Sequence, residues 1–114
     1  QRKDIEGAVA LFGTALAGWR RTGSAFAESR VLANLGNALA LKKDFEGAQN
    51  AFAEAALAAA RGGDLLFQAR QLIQLAKVLK RAGKPAELTP ILREAKLVAA
   101  RVFWDEGQAQ ADQI

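Results

Sequence analysis

At 114 residues, about half of them apolar, the chain has enough material for one buried core and too little for several. It has no Cys, which excludes disulfides and thiol chemistry, and no His, which removes the usual general base and the commonest metal ligand. The formal charge of +4 is spread along the chain rather than gathered in a tail, and no run approaches the roughly 20 apolar residues of a membrane span. No secretory leader is visible, and the lack of Cys points to a cytoplasmic location. Abundant alanine with few β-branched residues favours helix throughout.

Residues 1–22 read as a helix. Asp4-Ile5-Glu6-Gly7-Ala8 returns as Asp44-Phe45-Glu46-Gly47-Ala48, forty positions on, and Phe12 and Ala15 return as Phe52 and Ala55. The chain therefore opens on the second helix of a repeat whose first helix is missing. With no Met even at the start, a piece of a longer array is expected. Gly23 supplies a left-handed stop, and Ser24 a cap for the second helix of the chain.

Residues 24–62 form the first full repeat. Its first helix, 24–42, carries Leu32, Leu35, Gly36 and Leu39 on one face, and its second, 44–61, carries Ala48, Phe52 and Ala55. The apolar period breaks at Lys43-Asp44, where Asp44 caps the second helix. Gly62-Gly63-Asp64 repeats the stop and the cap. Residues 64–102 form the second full repeat, with Leu72, Leu75, Ala76 and Leu79 reproducing the first set at forty positions. Pro85 suits a first helical turn, where no amide partner is needed. Pro90 admits two readings: a helix from Pro85 that kinks at Pro90, or a helix that starts at Pro90 with Thr89 as its cap. Residues 103–114 are either a partial helix of a further repeat, opened by Asp105, Glu106 and Gly107, or a frayed tail.

The order of sizes matters more than hydrophobicity. Large, large, small, large on one helix (Leu32, Leu35, Gly36, Leu39), then small, large, small on the next (Ala48, Phe52, Ala55), resembles the tetratricopeptide repeat. Asn34 before Leu35-Gly36, and Asn37-Ala38 after, match common family residues. Leu32 stands where Trp is frequent, and Ala60 where Pro often ends the unit. The resemblance implies an all-α fold of antiparallel helix hairpins stacked in a right-handed α-solenoid. A forty-residue unit exceeds the usual length of about 34. It is similar to the long units of kinesin light chains, of spindle adaptors with GoLoco motifs, and of sensor arms in bacterial transcriptional regulators and STAND ATPases. The run from Ala86 to Ala95, with its Pro90, resembles second helices of kinesin light chains. The Ala/Arg/Gly-weighted composition points to a bacterial protein, hence to the last group.

No catalytic constellation emerges. Ser24, Ser29, Thr14, Thr22 and Thr89 lack a paired base and read as caps or solvated hydroxyls. Asp4/Glu6 and Asp44/Glu46 sit in first turns, where the helix dipole already favours negative charge. Arg61-Gly62-Gly63-Asp64 lacks the Gly-Lys-Ser/Thr ending of a phosphate loop. The chain is read as no enzyme, with no cofactor and no metal.

What remains is a surface. The resemblance places the first helix of each pair on the concave side of the stack. The inward residues would be Arg30, Ala33, Asn34, Asn37, Ala40 and Leu41, then Arg70, Ile73, Gln74, Lys77, Lys80 and Arg81. This lining holds amides and cations and no acid. Amide side chains can hold a peptide backbone, and Arg and Lys can pair with carboxylates. Ligand-binding roles are therefore expected for Arg30, Asn34, Asn37, Leu41, Arg70, Gln74, Lys77 and Arg81. The expected partner is an acidic or C-terminal segment of another protein. Asn34, Asn37 and Arg70 match the carboxylate clamp of chaperone-binding relatives, but Gln74 and Ala33 replace basic residues, so a true clamp is not expected. Self-association through the terminal helices is the alternative, since repeats without polar caps find partners. Nucleic acid is disfavoured because aromatics are not interleaved with the cations. Phe12, Phe45, Phe52 and Phe67 read as core, while Trp19 and Trp104 either seal gaps between repeats or lie exposed.

Overall fold

A computed structural model of the chain describes residues 2–102 and 110–114, without the side chains of residues 2–4, 19 and 22. Among the described residues the fold is all helical: α1 (Arg2–Thr22), α2 (Ala25–Leu41), α3 (Phe45–Arg61), α4 (Leu65–Arg81) and α5 (Pro85–Arg101). Among these residues no helix is long and apolar enough to cross a membrane. From α2 onward each helix has 17 residues, and a new one begins every twenty positions.

One turn is used three times. After α2, α3 and α4 comes a residue in the right-handed region, then one at positive φ: Lys43 (65°), Gly63 (75°) and Gly83 (70°). The next amides along, of Asp44, Asp64 and Lys84, donate back to the carbonyls of Leu39, Ala59 and Leu79 at 2.9, 2.9 and 3.0 Å. That is the paired closure of a Schellman motif, and it satisfies carbonyls that a helix end leaves bare. The same residue then opens the next helix. The carboxylates of Asp44 and Asp64 accept from the amides of Gly47 and Phe67, both at 3.0 Å, as Ser24 accepts from Ala27 at 3.2 Å. Lys84 makes no such cap bond, and Pro85 at the first position reduces the need for one.

α5 runs unbroken through Pro90. Thr89 is not its cap; its hydroxyl donates to the carbonyl of Pro85 at 3.3 Å, one turn back. The missing amide of Pro90 leaves only the carbonyl of Ala86 without its helical partner, and both residues are exposed to water. Residues 110–113 are helical, Ala111 is buried, and Ile114 packs on the core between α4 and α5. Lys96 pairs with Asp112. The expectations for Trp104, Asp105, Glu106 and Gly107, and for the Trp19 side chain, lie outside the described residues.

Each helix packs on its chain neighbours, and three-residue turns join α2 to α3, α3 to α4 and α4 to α5. Two layers result. Arg20 to Glu54 and Gln49 to Glu87 link α1, α3 and α5 on one side; Arg30 to Asp64 links α2 and α4 on the other. α3 is the hub. Ala48, Ala51, Ala55, Ala56, Ala58 and Ala59 are all buried, so both α2 and α4 can approach it closely. Phe52, 1% exposed, fills the space these alanines leave, beside Leu75, Val78 and Leu79. Leu32 and Leu72 are both buried, as are Gly36 and Ala76. Phe12, Phe45 and Phe67 are only half-buried, which corrects the expectation that all four phenylalanines are core. Phe45 and Phe67 each lay one part against the core and leave the rest for a guanidinium.

Candidate functional site

Residues 30, 33, 34, 37, 40 and 41 recur at helical spacing and so share one face of α2; residues 67, 70, 71, 74, 77, 78 and 81 do the same on α4. These two faces border a groove. Its middle is a depression of about 220 Å³ lined by Arg30, Ala33, Asn34 and Asn37 against Phe67, Gln71 and Gln74. Beyond Asn37 and Gln74 it continues into one of about 430 Å³, bordered by Ala40, Leu41, Lys77, Val78 and Arg81, which Phe52 also lines. At the other end, a depression of about 200 Å³ lies among Arg30, Asp64, Leu66, Phe67 and Arg70. All eight residues singled out from the sequence thus border one continuous groove.

Their chemistry is uneven. Arg30 is engaged within the protein. Its Nη2 donates to Asp64 Oδ2 at 3.2 Å, and its guanidinium lies 3.5 Å from the Phe67 ring centroid and 4.5 Å from that of Phe26. Asp64 can serve Arg30 because its other oxygen caps α4. A lining free of acid was expected; Asp64 stands at the mouth and neutralises that end locally. The far end differs. Lys77, Lys80 and Arg81 make no ion pair with any described residue, and Arg81 lies over the Phe45 ring at 5.0 Å. The same three cations also border a depression of about 470 Å³ shared with Gln110, Gln113 and Ile114. The groove therefore carries charge at the C-terminal end of α4 and amides in the middle. Leu41 forms an apolar lip, 73% exposed.

Three contributors were not singled out in the sequence. Asp64 and Phe67 act across the groove from Arg30, and nothing local to either announces that. Gln71 is 6% exposed. Its signal was available: Val31, forty positions earlier, and Ala111, forty later, are apolar at the equivalent place.

Compared with known proteins, the chain matches no family model and no curated protein.

Proposed function

We propose that this chain is a tetratricopeptide-like interaction module, a stack of helix hairpins forming an α-solenoid, that holds an acidic segment of another protein in the groove between α2 and α4. The observation that carries this reading is a set of cations that pair with no acid among the described residues at one end of an amide-lined groove: Lys77, Lys80 and Arg81. Cations near a helix C-terminus are favoured by the dipole, which explains their presence on α4 but not why no described acid of the neighbouring helices approaches them. Asn34, Asn37 and Gln74 offer both donors and acceptors to an extended backbone. No reaction is assigned to the groove, and the part played is that of scaffold or sensor arm within a larger bacterial protein.

The test is fluorescence anisotropy with a labelled, end-blocked Asp/Glu-rich peptide. The wild-type chain binds it with an affinity that falls as salt rises, because ion pairing carries the contact. Lys77→Glu with Arg81→Glu weakens binding at least tenfold. Equal affinity in wild type and double variant rejects this groove.

Self-association is a second reading, supported by Leu11 on α1 and Leu57 and Leu97 on α3 and α5, all large apolar side chains left exposed. Sedimentation velocity over a concentration series decides it; a monomer throughout counts against it.

A further inference from the structure

Two residues lining the same depression each carry a buried polar atom, Arg30 Nη1 and Gln71 Oε1, that makes no hydrogen bond to any described residue. Arg30 commits its Nη2 to Asp64, so only part of its donor fork is used. Leaving a buried donor or acceptor unpaired is destabilising, and an apolar side chain of similar size avoids the cost. The architecture does not demand a polar group here, because the equivalent positions hold Val31 and Ala111. Gln71 is thus a departure from the repeat that lowers stability and borders the groove.

One orphan is a donor, the other an acceptor. The chemical group that satisfies both is one with an acceptor and a donor side by side, which is a primary carboxamide; a trans main-chain peptide points its N–H and C=O opposite ways. The terminal torsion of Gln71 is soft, so its carbonyl can turn toward the groove without backbone movement. Arg30 is held by two rings and a carboxylate, so its uncommitted donor stays close to this wall. We infer that Arg30 and Gln71 form a carboxamide-reading subsite in the groove wall. On binding, Gln71 Oε1 accepts an N–H of an Asn or Gln side chain of the bound segment, and Arg30 Nη1, uncovered by the same rearrangement, donates to its C=O. This deepens the reading of the groove as a peptide site and rests on it for the source of the carboxamide.

The experiment has two parts. First, side-chain amide resonances of Gln71 in the full chain are followed by NMR during titration with acetamide alone, N,N-dimethylacetamide, or acetate. Acetamide shifts them saturably. N,N-dimethylacetamide, which has no N–H, and acetate do not. Gln71→Leu melts higher than wild type and abolishes the saturable response of its neighbours. The proposal is overturned by a linear, non-saturating response to acetamide. It is equally overturned by a Gln71→Leu protein that melts lower and responds unchanged, the sign of a bridging water that the probe does not displace.

Second, an acidic peptide with one Asn and the same peptide with Leu in that place are compared on wild type and Gln71→Leu. Wild type prefers the Asn peptide about tenfold and the variant shows no preference. Equal binding of the two peptides by wild type overturns the subsite. Salt-sensitive peptide binding with no acetamide response retains the groove and rejects the subsite. A saturable acetamide response with no peptide binding retains the subsite and rejects the acidic ligand.

Discussion

A Cβ atom placed on Gly36 would lie 2.7 Å from Cε1 of the Phe52 ring, with two further ring carbons inside 3 Å. At Gly36, α2 passes against the ring of Phe52 on α3, which occupies the room a side chain would take. The two residues set the spacing of the hairpin, and with it the depth of the groove, since Phe52 also borders the groove beneath Leu41 and Val78. A ring held between layers on this scale has nowhere to move without displacing Leu75 or Leu79.

Gly36→Ala should therefore destabilise the chain. Overpacking costs about 1–3 kcal/mol, against which the better helix propensity of alanine returns about 1 kcal/mol. Gly13→Ala is the control. It has nothing within 4 Å of its would-be Cβ, so only the propensity gain applies and stability rises. Adding Phe52→Leu to Gly36→Ala should recover part of the loss, although Phe52→Leu alone is destabilising. Denaturant unfolding of the four proteins reads the coupling directly, and strictly additive effects would deny the contact.

Much of the helical frame was legible because its signals are local. Gly23, Gly63 and Gly83 adopt the positive φ that glycine accepts most cheaply, and Ser24, Asp44 and Asp64 bond the amide three residues on. The groove lining was legible because the repeat resemblance says which face looks inward and helical spacing puts residues 30, 34, 37 and 41 on that face. What was hidden depends on how α2 and α4 sit across α3. The ion pair of Arg30 with Asp64, its stacking on Phe67 and the burial of Gln71 all result from that placement. The placement itself comes from a run of small residues on α3, whose effect is felt only when two other helices have docked. The half-burial of Phe45 and Phe67 was missed for the same reason: each ring serves a guanidinium from a different helix.

Lys43 was also not legible, and it carries a prediction. It occupies the left-handed position that Gly23, Gly63 and Gly83 fill in the other three turns, at φ 65°. A side chain there costs roughly 1–2 kcal/mol, whereas glycine gives some of that back through a more flexible unfolded chain. Lys43→Gly should raise stability by about 0.5–1 kcal/mol. Gly63→Ala and Gly83→Ala should lower it by a similar or larger amount. A melting temperature that falls with Lys43→Gly would mean that the Lys43 side chain has a compensating role.

Glu28 joins three helices at once. It accepts from Arg20 Nε at 3.2 Å and from Arg61 Nη2 at 2.9 Å, and Arg20 reaches on to Glu54 at 3.2 Å. The two arginines are about half exposed, but the Glu28 side chain is only 14% exposed, so its charge is screened less than that of a free surface pair. Glu28→Gln should cost about 1 kcal/mol at low salt, with the difference shrinking at 1 M salt, where the screening length is about 3 Å. Hydrogen exchange should show the loss first in α1, which this cluster ties to α2 and α3. Uniform loss across all helices would instead make Glu28 part of the global core.

The cations of the groove should divide by stability as they divide by geometry. Arg30 packs between Phe26 and Phe67 and pairs with Asp64, so Arg30→Ala removes two ring contacts and an ion pair together. A guanidinium over a ring contributes about 0.5–1 kcal/mol and a partly exposed pair up to about 1, which puts the loss at about 1–2 kcal/mol. Arg30→Lys recovers little of it, since an ammonium neither stacks nor forks. Lys77 touches no acid among the described residues, so Lys77→Ala should leave stability within about 0.5 kcal/mol. Removing a like charge beside Lys80 and Arg81 even favours a small gain at low salt. Chemical denaturation at two ionic strengths separates the classes. If Lys77→Ala proved as costly as Arg30→Ala, that end of the groove would be held by a contact within the chain, and its cations would not be open to an acidic partner.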